Sequence, residues 1–91
     1  MAGVLHVTYK SNEHGSTGKY QQVASGAVSA DATPRSGVLE LYLTGSTAGG
    51  KASIKDGTPT VADEGAIYIP EGWPVCVNVG TGVKVAYTDN A

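Results

Sequence analysis

The sequence predicts an all-β fold: a small β-sandwich, jelly-roll or immunoglobulin-like, or a barrel, with six to eight short antiparallel strands. Apolar and polar residues alternate at the two-residue period of a strand with one buried face, as at Leu39, Leu41 and Leu43. Turns rich in glycine, aspartate and proline separate these runs, and no stretch combines helical periodicity with capping residues. Two packed sheets are the simplest way to bury several one-sided strands.

The predicted strands follow one another along the chain. Residues 4–9 are rich in β-branched and aromatic side chains and predict the first strand, and residues 11–19 predict a polar loop. Residues 20–23 predict a short strand, and residues 24–37 predict a long surface connection. The remaining strands are predicted around Leu39/Leu41/Leu43, Ala52/Ile54, Ile67/Ile69, Val75/Val77/Val79 and Val83/Val85/Tyr87.

Length and composition predict one small domain over residues 1–91, with a flexible N-terminal segment at residues 1–3. The net charge is −2 and the six lysine and arginine residues are scattered, which argues against nucleic-acid binding through phosphate neutralisation. One cysteine gives no disulfide framework, and neither a leader nor a membrane-length apolar run is visible. We therefore expect a protein that folds in the cytoplasm and contacts neither nucleic acid nor membrane.

The stretch GSTAGGKA, residues 45–52, comes close to a phosphate-binding loop. Gly45, Gly50 and Lys51 match its glycine and lysine positions, but Ala52 stands where the motif needs a hydroxyl for Mg²⁺. A helix must follow such a loop, whereas residues 51–60 contain Asp-Gly and Pro turn signals. A β-hairpin with a small-residue turn is the better interpretation.

Groups that could carry chemistry are sparse. Imidazole and thiol groups occur only at His6, His14 and Cys76, without the spacing of a zinc site, and no nucleophile motif marks a serine. Cys76 is out of phase with Val75 and Val77, so we expect it to face away from the core, and no neighbouring base would activate it. The sequence thus predicts no catalytic, cofactor-binding or metal-binding residue.

Exposed aromatic side chains are the candidates for recognition, because tyrosine and tryptophan dominate interface energetics. Tyr42 and Tyr68 are out of phase with the apolar residues of their strands, and Trp73 lies in the turn EGWP. Together with Val4 and Leu5, at the start of the first strand, they form the predicted partner interface. Exposed aromatic residues also serve glycan-binding sandwiches, so that alternative stays open.

The segment from Leu39 to Asp89, LELYLTGSTAGGKASIKDGTPT…GAIYIPEGWPVCVNVGTGVKVAYTD, resembles small all-β virion proteins of tailed bacteriophages. Capsid decoration, or cement, proteins are the most similar group, and neck or tail accessory proteins are next. The shared pattern covers a little over half of the chain and consists of strand and turn residues.

The resemblance implies a non-enzymatic protein that binds the major capsid protein on the outer capsid surface and stabilises the shell. It also implies a homo-oligomer, trimer or dimer, that is made in the host cytoplasm and resides on the virion. The alternatives are a neck, tail or head-fibre accessory protein and a glycan- or host-surface-binding module. A small hydrolase has the least support, since no nucleophile, metal or cofactor motif fits its surroundings.

Overall fold

A computed structural model describes residues 3–11, 18–60 and 65–90, and this part of the chain is built from β-strands and turns without a helix. The eight strands confirm the predicted fold class and number. They are β1 (Val4–Ser11), β2 (Lys19–Ala24), β3 (Ala27–Val28), β4 (Gly37–Thr44), β5 (Gly50–Asp56), β6 (Ile67–Ile69), β7 (Val75–Val79) and β8 (Val83–Asp89).

The strands form two four-stranded sheets in which every neighbouring pair is antiparallel. Sheet A has the order β2-β1-β4-β7, and sheet B has the order β3-β8-β5-β6. A jelly roll arises when an eight-stranded hairpin folds over, so that one sheet reads first-eighth-third-sixth and the other second-seventh-fourth-fifth. Counting β2 as first and β1 as eighth reproduces both orders. The protein therefore has the strand order of a circularly permuted jelly roll rather than an immunoglobulin-like one.

The core lies between the two sheets. Alternate residues of β1, such as Leu5, Val7 and Tyr9, point inward and are almost fully buried, as the two-residue period predicts. The buried cluster draws on both sheets and contains Leu5, Val7, Tyr9, Val23, Leu39, Leu41, Leu43, Ala52, Ile69, Val85 and Tyr87. Tyr87 on β8 is fully buried in this cluster, in phase with Val83 and Val85.

The predicted hairpin over residues 45–55 is wrong, although both of its strands exist. β4 belongs to sheet A and β5 to sheet B, so residues 45–49 cross from one sheet to the other. A hairpin would put Leu41 and Ala52 in one sheet, whereas the crossing lets the two buried rows face each other. At the crossing the Ser46 hydroxyl donates to the Gly49 carbonyl at 2.8 Å.

The predicted surface connection over residues 24–37 is wrong in part, because it contains β3 and two buried hydroxyl residues. Beyond β3 the Ser29 hydroxyl accepts the Val85 N–H at 2.9 Å, and the Thr33 hydroxyl accepts the Val83 N–H at 3.0 Å. Beyond the end of β3 these two hydroxyl groups act as the hydrogen-bond acceptors for β8, so the N–H groups of Val83 and Val85 stay paired.

Of the N-terminal segment for which flexibility is predicted, the structure describes Gly3, while Met1 and Ala2 lie outside the described residues. Gly3 is buried, and its N–H donates to both carboxylate oxygens of Asp89 at 3.0 and 3.1 Å. A Cβ atom on Gly3 would come within 2.7 Å of the Ser46 Cβ, so the close approach requires glycine.

Candidate functional site

The outer side of sheet A carries a cluster of aromatic and hydrogen-bonding side chains, which we call the aromatic face: His6, Tyr20, Gln22, Tyr42 and Thr44. His6 on β1 lies opposite Gln22 on β2 and Tyr42 on β4, and all three have the outward phase of their strands. Tyr20 is 56% exposed and Tyr42 is 39% exposed. Side chains from three strands, β1, β2 and β4, therefore build one surface.

Hydrogen bonds fix the imidazole of His6 at both ring nitrogens. Nε2 lies 2.9 Å from the Thr44 Oγ1, and Nδ1 is hydrogen-bonded to the Tyr20 hydroxyl. The side-chain amide of Gln22 donates to the same tyrosine oxygen at 2.9 Å. A neutral His6 with its proton on Nε2 satisfies this set, because Tyr20 then donates to Nδ1 while it accepts from Gln22.

The His6 ring also contacts two tyrosine rings. The His6 and Tyr20 rings are stacked, with centroids 5.8 Å apart and planes 15° from parallel. The Tyr42 ring is tilted by 46° on the other side of His6, with a centroid distance of 6.4 Å. Side chains that are already ordered lose little conformational freedom when a partner binds, so the aromatic face is prepared for recognition.

Among the described residues, the outer side of sheet A around the aromatic face carries little charge. The outward residues of sheet A are Val4, His6, Thr8, Lys10, Tyr20, Gln22, Ala24, Val38, Glu40, Tyr42, Thr44, Cys76 and Asn78. Lys10 and Glu40 are the formally charged members of this set, and Val4 and Val38 are half-buried. A weakly charged surface with aromatic and hydroxyl groups suits a protein or glycan partner better than a phosphate backbone.

The five residues of the predicted partner interface do not lie together in the structure. Val4 and Tyr42 lie on the outward side of sheet A, where β1 and β4 pair. Tyr68, 61% exposed, points outward from sheet B next to Lys51, and Trp73, 70% exposed, lies in the turn between β6 and β7. The predicted exposure of Tyr42, Tyr68 and Trp73 is confirmed, but these residues do not form one surface.

The prediction for Leu5 is wrong. Its side chain is 0% exposed and belongs to the core cluster, because it shares the inward phase of Val7 and Tyr9. A partner of the folded chain cannot contact it. The two-residue period of β1 already carried this information, since Val4 and Leu5 must point to opposite faces.

Sequence reasoning missed His6 and Tyr20 as members of a recognition surface. Both have the outward phase of their strands, which the alternation in 4–9 and 20–23 could have shown. Their meeting depends on the β1–β2 register, which places Thr8 opposite Tyr20 and His6 opposite Gln22. That register depends on how the two strands pair, so the sequence of one strand alone does not determine it.

The described ranges hold no cluster of metal-ligating side chains. Within residues 3–11, 18–60 and 65–90 no three His, Cys, Asp or Glu side chains gather as a metal site would require. Cys76 is exposed, as predicted, and His14 lies outside the described residues. Helices long and apolar enough to cross a membrane are likewise missing from the described part of the chain.

A polar cluster near Asp89 ties the end of β8 to Gly3, the residue before β1, and is structural in character. Hydrogen bonds from the Tyr87 hydroxyl and from the Gly3 N–H lower the pKa of Asp89, against the opposing effect of burial. Burial in turn raises the pKa of Tyr87 above its usual value, and its hydrogen bond to Asp89 adds to the shift. Both groups are thus held in the protonation states they have at neutral pH.

A small cavity of about 140 Å³ opens between β2 and the segment after β3. Core side chains such as Val7 and Leu39 line its floor, and Lys19 and Asp31 stand at its rim. The Gln21 amide bridges to the backbone of Asp31 with two hydrogen bonds of 3.1 Å. The cavity has room for a few atoms and no cluster of reactive groups.

Comparison of the chain with protein-family models, with curated proteins and with solved structures found no match.

Proposed function

We propose that this protein is a non-enzymatic structural protein of a tailed bacteriophage, which binds the outer surface of the capsid and stabilises the shell. The resemblance of the segment from Leu39 to Asp89 to capsid decoration proteins supports this proposal. The jelly-roll strand order is compatible with it, since viral capsid and lectin domains use this fold, but a fold alone does not define a function.

The observation that carries the proposal is the aromatic face. Tyr20 and Tyr42 are exposed, and both contact His6: Tyr20 is stacked on and hydrogen-bonded to the imidazole, and the Tyr42 ring is tilted against it. Tyrosines of this kind supply much of the binding energy in protein interfaces, because they bury large areas and lose few rotamers. Few charges surround them among the residues that the structure describes, which favours desolvation of this surface on binding.

Stabilisation of the shell follows from linkage. A protein that binds the assembled shell but not the separated subunits stabilises the shell by RT ln(1 + [L]/Kd) at each site, about 2.7 kcal/mol at a hundredfold excess over Kd. The effect is repeated over every site of the lattice. Binding energy alone produces it, and no catalytic residue takes part.

The experiment adds the chain to undecorated capsids of the phage that encodes it and measures the temperature of capsid disassembly. We expect the parent chain to raise that temperature, and Tyr42→Ala to lose the effect at the same concentration. Tyr68→Ala is the matched control, because Tyr68 is equally a surface tyrosine but lies on sheet B. Thermal unfolding of each variant verifies that the fold is intact.

A saturating occupancy without any rise in disassembly temperature contradicts the cementing role. If Tyr68→Ala loses the effect and Tyr42→Ala keeps it, the binding surface is on the other sheet. Counting the chain against the major capsid protein in purified particles then separates the locations. Copy numbers comparable to that protein mean a lattice-wide role, and a few copies mean the neck, tail or head fibres.

Glycan or host-surface binding is the second candidate function. Exposed aromatic rings beside hydroxyl and amide groups, as in Tyr20, Tyr42 and Gln22, are suited to stack on sugar rings and bond their hydroxyls. A glycan array probed with the parent chain and with Tyr42→Ala tests this candidate. A specific signal that the variant loses supports it, and an array without signals removes it.

A further inference from the structure

Strand β7 forms an open edge of sheet A. Within residues 3–11, 18–60 and 65–90 it pairs with β4 and with no other strand. Its sequence VCVNV has high β-propensity and no charged residue, so it lacks the usual protection of an edge against pairing. The other edge strands are better protected against pairing, since β3 has two residues, β6 has three, and β2 begins with Lys19.

The inward side chains of β7 are incompletely covered. Val75, Val77 and Val79 are only partly buried against the core. β6 pairs with β5 over residues 50–52, so the sandwich opens between β7 and the rest of β5. A groove of about 520 Å³ lies in this opening; its lining includes Ile54, Ile67, Val77 and Val79, together with the polar residues Lys55, Asp56 and Asn78. Free backbone groups and half-covered valines therefore lie side by side.

We infer that a second copy of this chain occupies this edge, with the two β7 strands paired antiparallel about a two-fold axis at Val77. In this register Val77 lies opposite its own counterpart, and Cys76 lies opposite Asn78 of the second copy. Val75 lies opposite Val79 of that copy. The two sheets A then form one continuous sheet, with the inward valines of both copies on the same side.

Three observations favour a second copy as the occupant. The partner strand needs a free edge, apolar residues on the inward side and no charge, and β7 itself meets all three conditions. Self-pairing opposes no like charges, which would be destabilising. The axis also brings the two grooves together, so the valines of each copy cover the opening of the other. A five-residue strand pair alone is small, so the joined grooves must supply most of the buried area.

The dimer would have a consequence for recognition, although the inference does not depend on capsid binding. An axis perpendicular to the sheet keeps both aromatic faces on the same outer side. Two identical faces on one rigid body can engage two sites of a repeating surface, and the second contact forms at a high effective concentration. A monomer has no such advantage.

The first experiment measures the mass of the full chain in solution by sedimentation velocity over a range of concentrations. We expect a dimer whose population rises through about the micromolar range. Cys76→Lys with Asn78→Lys places lysine opposite lysine in both symmetric pairs. Cys76→Lys with Asn78→Glu places lysine opposite glutamate and is the matched control. We expect the first variant to dimerise roughly tenfold or more weakly than the second.

Both double variants change exposed side chains, and both carry Cys76→Lys, which sets a lysine beside Glu40, so the folded monomer should tolerate them equally. Thermal unfolding checks this. A parent chain that stays monomeric at high concentration, or that forms a trimer, overturns the inference. A parent dimer that both variants leave unchanged also overturns it, because the contact then lies elsewhere.

A cross-link tests the register directly and does not depend on introduced charge. Asn78→Cys in the parent background sets each new cysteine opposite Cys76 of the second copy, at a Cα separation suited to a disulfide. We expect a covalent dimer after mild oxidation. Cys76→Ser with Asn78→Cys should cross-link far less, since position 78 does not lie opposite itself. Equal cross-linking of the two variants overturns the register.

Discussion

The carboxylate of Asp89 accepts the N–H of Gly3 at both oxygens, 3.0 and 3.1 Å away, and so ties the end of β8 to the start of β1. The Tyr87 hydroxyl donates to the same carboxylate. These bonds join the first and last described strands at one end of the sandwich. An ionised Asp89 is required for all of them, so the contact couples folding to pH.

The first prediction concerns acid stability. The Tyr87 hydroxyl, and then the Gly3 N–H, hold the pKa of Asp89 below its ordinary value of 3.8. A lowered pKa in the folded state means that Asp89 stabilises the fold above that ordinary value, and that this contribution is lost as the pH falls through the folded-state pKa. Asp89→Asn should therefore lower the melting temperature at pH 7 and flatten its fall below pH about 4.

Melting curves from pH 7 to pH 2 check this. An Asp89→Asn variant with an unchanged melting temperature at pH 7 contradicts the stabilising role of the contact. Tyr87→Phe is the informative companion, because it removes the donor with the largest effect on Asp89. It should lower the melting temperature at pH 7 and make its fall below pH about 4 shallower than in the parent chain, because the folded-state pKa of Asp89 moves back toward its ordinary value.

The second prediction concerns the hydroxyl groups that extend sheet B. Ser29→Ala leaves the buried N–H of Val85 without a partner, and Thr33→Val does the same to Val83. An unpaired buried donor costs about 1–3 kcal/mol, so each variant should lose that much free energy of unfolding. Chemical denaturation measures the loss, and exposed Thr58→Ala should change stability by less than about 0.5 kcal/mol. Equal stabilities of all three variants would show that the hydroxyl contacts are dispensable.

The third prediction explains a glycine of the stretch GSTAGGKA. A Cβ atom on Gly50 would come within 2.6 Å of the Thr88 carbonyl oxygen and would also strike the Tyr87 ring. Gly50→Ala should therefore lower the free energy of unfolding by about 2–3 kcal/mol. Nothing lies within 4 Å of a Cβ on Gly80, and its φ is not positive, so Gly80→Ala is the control and should be nearly neutral. A tolerated Gly50→Ala would mean that the two strands can move apart.

The fold class could be predicted from the sequence, but the pairing of its strands could not. Alternation in β4 placed Leu41 inward and Tyr42 outward, because burial of one face fixes side-chain direction locally. The path from β4 to β5 depends on which sheet each strand joins, and the small residues between them suit a hairpin or a crossing equally. The aromatic face could not be predicted for the same reason. Tyr20 and Tyr42 lie beside His6 only because of the registers in which β1 pairs with β2 and with β4.

The fourth prediction follows from the permuted strand order. Joining Ala91 to Met1 leaves four residues between Asp89 and Gly3, which already touch, so the connection needs no stretching. Opening the chain between Gly15 and Ser16 then makes β2 the first strand and β1 the last, which is the ordinary jelly-roll order. We expect this permutant to unfold cooperatively, within about 2 kcal/mol of the parent, because one short connection replaces another. The control carries the same join but is opened between Lys51 and Ala52, inside β5, which pairs on both sides, and should not fold. If neither permutant folds, the contact between Gly3 and Asp89 cannot replace a chain connection.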